Sequence, residues 1–135
     1  DIIITAGGKN ITPSEIENRL KFSPYISDTI IIGDKRKFVS CLVMIDQENV
    51  EKFAQDNRIS FSDFASLCAA KEIVELIGNI VEDVNRDFAR VEQIKKFRLI
   101  DILLTAEDDE LTATMKLKRG FVEEKHKTLI DEMYL

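Results

Sequence analysis

Tryptophan is absent, histidine occurs once, and cysteine and proline occur twice each in this 135-residue chain. One histidine leaves no His cluster for a metal and no second imidazole for a relay. Cys41 and Cys68 stand in apolar surroundings without Cys-x-x-Cys spacing, so both are expected as buried, reduced thiols, which suits a cytoplasmic protein. No apolar run approaches the roughly 18 residues of a membrane span, and no signal-peptide pattern is present. Basic residues are outnumbered, 19 against 25, and the formal charge of −6 argues against general nucleic-acid binding. Low-complexity stretches, repeats and linkers are missing too. What remains is enough for one domain with a real core.

The charge is unevenly spread. From Leu111 to Thr128 five basic residues (Lys116, Lys118, Arg119, Lys125, Lys127) face only Glu123 and Glu124, a local +3. This segment follows an acidic run, Glu107-Asp-Asp-Glu110. Such a patch can receive an anion while the whole chain stays acidic.

Short strands are expected at Ile2–Thr5 and Lys9–Ile11 around the paired glycines Gly7-Gly8, which permit positive φ and close backbone approach. Thr12-Pro13-Ser14-Glu15 then predicts a helix with a capping box, ending near Phe22 and buried through Ile16 and Leu20. Ile26–Ile32 and Phe38–Ile45 predict a β-hairpin. Asp46 is expected to cap a helix through Asn57, and Ser60 or Ser62 a shorter one through about Leu67. The longest helix is expected from Ala70 to Arg90, with Ile73, Ile77, Ile80, Val84 and Phe88 inward and Glu82–Arg86 as an exposed pair. Phe97–Leu104 reads as a strand and Leu111–Leu117 as a loop or extended piece. Gly120–Met133 reads as a terminal helix with Phe121, Lys125, Leu129 and Met133 on one side. The fold class is α+β: a small mixed sheet with a hairpin and helices packed on it.

Two segments carry a resemblance. The opening Asp1-Ile-Ile-Ile-Thr-Ala-Gly-Gly-Lys-Asn-Ile-Thr-Pro-Ser-Glu-Ile-Glu17 resembles the hinge-and-strand segment of the adenylate-forming (AMP-binding) enzymes, matched at Asp1, Gly8, Pro13, Glu15, Ile16 and Glu17. Leu111-Thr-Ala-Thr-Met-Lys-Leu-Lys-Arg119 resembles that family's final signature, a lysine followed three positions later by arginine, here Lys116 and Arg119. With Glu92-Gln-Ile-Lys-Lys-Phe97, the wording is similar to long-chain fatty acid–CoA ligases. The resemblance covers residues 1–135 and implies a single, mobile C-terminal domain, with the ATP- and acyl-binding N-terminal domain on a preceding part of the polypeptide. The chain's opening on Asp1 rather than Met favours excision from something longer.

The resemblance implies a two-step ligase: ATP and a fatty acid give acyl-adenylate and pyrophosphate, then CoA thiol displaces AMP. Lys116 is implied as catalytic, Asp1 as the hinge, Gly7 and Gly8 as CoA-facing with Gly8 matching the family glycine, and Arg119 as a supporting residue; Lys9 is also read as CoA-facing, placed to meet a CoA phosphate, with no motif behind it. The residue types suit these tasks. Joining two anions needs a bridging cation, and a lysine ammonium is a mobile point charge. Lys118 is the runner-up, and the resemblance implies Lys116, which stands at the family's spacing from Arg119. ATP with Mg2+ and CoA are expected as substrates of the full-length enzyme, none held stably by this domain and no metal site of its own. The isolated domain is expected to be inactive.

Plainer readings stand beside these. Gly7-Gly8 is ordinarily a hairpin turn, Glu15 and Glu17 are capping or surface residues, and His126 is an exposed bystander. The alternative to the ligase is a free-standing module binding an anionic partner through Leu111–Thr128. A peripheral contact of the full enzyme with the inner face of a membrane and acylation of Lys116 as a switch are left open.

Overall fold

A computed structural model describes residues 2–101 and 118–135. The expectations at Asp1, Leu111–Leu117 and Lys116 fall outside the described residues. Strands β1 (Ile3–Ile4) and β2 (Asn10–Ile11) pair antiparallel and lead into α1 (Pro13–Leu20). Strands β3 (Ile26–Ile32) and β4 (Val39–Ile45) form the expected hairpin. Helices α2 (Gln47–Asp56), α3 (Phe64–Ala69) and α4 (Lys71–Asn85) then return the chain to β5 (Ile94–Leu99), parallel to β4. The described sheet order is β3-β4-β5, followed by α5 (Arg119–Lys125) and α6 (Lys127–Met133). The α+β expectation, a small mixed sheet covered by helices, is what the chain adopts.

Strand β4 explains the layering. All seven of its residues are buried, because both sheet faces are covered and successive side chains alternate between them. Val39, Cys41, Val43 and Ile45 join Ile16 and Leu20 of α1, Val50 of α2 and Ile73, Ile77 and Val81 of α4 in one core. Leu42 and Met44 point the other way and meet Val122, Ile130 and Met133 of α5 and α6. The C-terminal helices therefore close the face opposite α1.

Several boundaries move from their expected places. Thr12 stands at the N-cap of α1, but its side chain makes no capping bond; Glu15 N–H instead donates to the Thr12 carbonyl at 3.3 Å. Helix α1 ends at Leu20, short of Phe22. Asp46 caps α2 as expected, accepting from Asn49 N–H at 3.0 Å. Helix α3 is capped by Asp63 rather than by Ser60 or Ser62, because Asp63 and Ser66 exchange bonds in a reciprocal box. Arg86 pairs with Asp83 at 2.7 Å and not with Glu82. The single terminal helix is two helices that meet at His126, and Val122 and Ile130, not Phe121 and Lys125, turn inward.

Helix α4 stops at Asn85 for a visible reason. The Asn85 side chain, 8% exposed, donates to Ile94 O at 2.9 Å and accepts from Ile94 N–H at 2.8 Å. It serves the first residue of β5 as a neighbouring strand would. Gln93 Nε2 donates to the Asn85 carbonyl at 3.0 Å, fixing the same corner. Strand β5 thus begins three residues before the expected Phe97.

Candidate functional site

The glycine turn is built against the hairpin loop. Thr5 N–H donates to Lys9 O at 3.0 Å and Gly8 N–H to Thr5 O at 2.9 Å, closing a tight turn between β1 and β2. Ala6 N–H reaches Arg36 O at 2.8 Å, and Lys35 N–H reaches Ile4 O at 2.8 Å. Gly8 has φ +82°, which a residue with a Cβ adopts only with strain. Gly7 is spared for another reason: a Cβ there would meet nothing nearer than Thr5 Oγ1 at 4.0 Å. Both glycines are solvent-exposed, so the turn's outer surface is bare backbone.

Gly7 and Lys9 line a groove of about 340 Å³, together with Thr5, Lys37, Phe38, Arg90, Val91 and Lys95. Two of the three residues expected to face CoA therefore border one concavity, with Gly8 at the adjoining turn. The sequence reading missed Lys37, Arg90 and Lys95. Lys95 belongs to the quoted Glu92–Phe97 segment, but no pattern along the chain announces that β5 returns beside the first turn.

Arg119 lies at the start of α5, where its guanidinium crosses to the N-terminal motif. Its Nη2 donates to Glu17 Oε2 at 2.7 Å, and its Nη1 donates to the Ile31 carbonyl at 2.5 Å. The same Glu17 oxygen accepts from Ile31 N–H at 2.9 Å. The two side chains keep only 21% and 13% of their surface in water, so the pair is partly desolvated and geometrically fixed. Glu17 is thus not the surface residue expected of it: carboxylate, guanidinium and the Ile31 peptide form one clasp. Glu15, by contrast, is exposed as expected. The clasp joins the two motifs across 102 positions of sequence.

Burial drives the Cys41 thiol pKa strongly upward and pushes that of Cys68 up to about 11. Both are free and buried, which rules them out as thiolate nucleophiles near neutrality. His126 is half-buried at the α5–α6 junction, not an exposed bystander. Among the described residues no group of three or more His, Cys, Asp or Glu is placed to hold a metal. No helix among them is long and apolar enough to cross a membrane.

A small three-stranded sheet between α1–α4 and a C-terminal helix pair, preceded by a hairpin-docked glycine turn, is the C-terminal-domain fold of adenylate-forming enzymes. The chain belongs to the AMP-binding enzyme C-terminal domain family, which it matches over residues 1–135. It is 35% identical over 135 residues to the long-chain fatty-acid–CoA ligase FadD15 of Mycobacterium tuberculosis, an alignment covering 99% of this chain and 22% of that protein. It is 33% identical over 152 aligned positions to the human long-chain fatty-acid–CoA ligase ACSBG1, covering 99% of this chain and 21% of the relative. The chain spans about a fifth of the length of these relatives.

Solved structures share the fold. The adenylation domain of a carboxylate reductase from Mycobacterium chelonae superposes with a TM-score of 0.74 at 19% identity, covering 98% of this chain and 19% of that one. A Mycobacterium tuberculosis fatty acyl CoA synthetase superposes at 0.57 and 21% identity, covering 96% of this chain and 20% of that one.

Proposed function

We propose that this chain is the mobile C-terminal domain of a cytoplasmic, ATP-dependent fatty acid–CoA ligase. The observation that carries the reading is the clasp: Arg119 of the rear motif is bonded to Glu17 of the front motif and to the Ile31 carbonyl. Two short motifs that are distant in sequence thereby gain a physical reason to occur together. The relatives named as long-chain fatty-acid–CoA ligases support the substrate class.

In the first step a fatty acid carboxylate oxygen attacks the α-phosphorus of Mg2+-bound ATP, and pyrophosphate leaves. Lys116 supplies the ammonium that bridges carboxylate and phosphate as negative charge concentrates between them. In the second step the CoA sulfur attacks the acyl carbonyl, loses its proton, and AMP departs. Here the glycine turn offers backbone without side chains to the thin pantetheine arm. Rotation about Asp1 exchanges the two faces. ATP, the acyl chain and Mg2+ are held by the N-terminal domain of the same polypeptide, so this domain alone is inactive.

The half-reactions test the assignment. In the full-length ligase Lys116→Ala is expected to lower acyl-adenylate formation by about 100-fold or more, as loss of a charge-stabilising group does. Thioester formation from supplied acyl-adenylate is expected to persist. Equal loss in both steps would remove Lys116 from its role. In the described part of Leu111–Thr128 the alternative of an anion-binding module loses Arg119, which is turned inward to Glu17, and keeps Lys118, Lys125 and Lys127 on the surface.

A further inference from the structure

Helix α6 is already held to the sheet by Ile130 and Met133, buried in one core with Leu42 and Met44. Its end goes further. Tyr134 meets three alternate residues that run from the hairpin loop, 33–38, into β4: Arg36, Phe38 and Ser40. Its ring stacks on Phe38 with centroids 4.5 Å apart, and the Arg36 guanidinium lies over the ring, 4.8 Å from its centre. The hydroxyl donates to the Phe38 carbonyl at 2.8 Å and accepts from the buried Ser40 hydroxyl at 2.9 Å. Arg36 also donates to Asp131 of α6 at 2.8 Å. The other side of the same loop carries the glycine turn. Asp34 Oδ1 accepts from Ile4 N–H at 3.2 Å, Lys35 N–H donates to Ile4 O, and the Arg36 carbonyl accepts from Ala6 N–H. Lys35 has φ +61°, a left-handed torsion uncommon for lysine. Such a torsion persists where the surrounding contacts determine it. Arg36 is the joint, with its guanidinium on α6 and its carbonyl on the turn.

We infer that Tyr134, acting through Arg36 and Phe38, is a positioning residue for thioester formation: the end of α6 fixes the hairpin loop, and the loop fixes the glycine turn. The inference rests on the ligase reading and extends it to residues that touch no substrate. Contacts pass from the Tyr134 ring and hydroxyl to Arg36 and Phe38, then through the Arg36 carbonyl to Ala6, the residue before Gly7. Burial pushes the pKa of the Tyr134 hydroxyl up, which keeps the donated proton in place. Arg119 has a separate support, Glu17 of α1 and the Ile31 carbonyl of β3, neither of them in the loop. Loosening the loop therefore displaces the turn used in the second step and spares the first. No covalent step is added.

The test measures both half-reactions on one sample of the full-length ligase, so that partial unfolding cancels in their ratio. Adenylate formation is read by ATP–pyrophosphate exchange, and thioester formation from supplied acyl-adenylate and CoA. Tyr134→Phe keeps the stacked ring and deletes both hydroxyl bonds. Its kcat/KM for CoA is expected to fall roughly 10-fold, as a small misplacement of a working surface does, while exchange changes less than about 2-fold. Asp34→Ala releases the loop at its other side, from Ile4, and is expected to move the ratio in the same sense. Ala54→Gly is the control for plain loss of stability, since Ala54 is fully buried in α2 and belongs to the core on the other sheet face. It is expected to leave the ratio unchanged. An unchanged ratio in Tyr134→Phe or Asp34→Ala, a fall shared equally by both steps, or a matching shift in Ala54→Gly overturns the positioning role and leaves the ligase reading standing. A wild type that forms no thioester overturns the ligase reading and the positioning role with it.

Discussion

Replacing Glu17 with alanine removes the acceptor shared by Arg119 Nη2 at 2.7 Å and Ile31 N–H at 2.9 Å. A charge-assisted hydrogen bond contributes about 1.5–3 kcal/mol, and a buried amide left unmatched costs about 1–3 kcal/mol. The side chains keep 13% and 21% of their surface exposed, so solvent recovers part of this loss. A net destabilisation of about 2–4 kcal/mol follows. Glu17→Gln retains an acceptor for Ile31 but not the charge, and is expected to lose about half as much. The decisive measurement is a double-mutant cycle with Arg119→Ala, read by urea denaturation of all four proteins. A coupling of about 1–2 kcal/mol is expected, against the ~0.5 kcal/mol scatter of independent sites. Lys52–Asp56 is the control, since its side chains are 74% and 61% exposed and exposed pairs are worth little. Coupling at Glu17–Arg119 no larger than at that control pair would refute the clasp.

The glycine turn separates torsion from space: Gly8→Ala is expected to cost about 1–2 kcal/mol because its φ is +82°, whereas Gly7→Ala should lie within about 0.5 kcal/mol of wild type in the same denaturation assay. Equal costs at the two positions would contradict this account of the turn. For Cys68, folded pKa about 11 against an ordinary 9.0 means about 100-fold less thiolate near pH 8, with a rate rising tenfold per pH unit until that pKa is passed. Iodoacetamide labelling followed by mass spectrometry checks it, and labelling at the rate of a free thiol in the native protein would show the burial to be wrong.

The parts of the fold visible in sequence were those set by near neighbours. The hairpin and the Asp46 cap follow from local pattern alone. Two of the readings that the structure moves share a cause, a side chain whose partner lies outside its own element. Asn85 has its amide on Ile94 and so ends α4 before Arg90, and β5 begins at Ile94 although Lys95 and Lys96 break its hydrophobic run. Glu17 read as surface because its ligand, Arg119, is far along the chain. At the site, motifs singled out Gly8 and Arg119, with Gly7 and Lys9 beside them, yet nothing in linear order places Lys37, Arg90 and Lys95 around one groove. Such convergence belongs to topology.

The span of the clasp has a consequence for folding order. The hairpin closes a short loop and can form early, whereas Glu17 and Arg119 must close a loop of about a hundred residues, with a correspondingly larger entropic cost. A bond of that reach belongs after the transition state, when the sheet already exists. Its contribution then resides mainly in how slowly the native domain opens and hardly in how quickly it forms. Glu17 and Arg119 act as a late kinetic lock, holding the start of α5 against α1 once both have arrived.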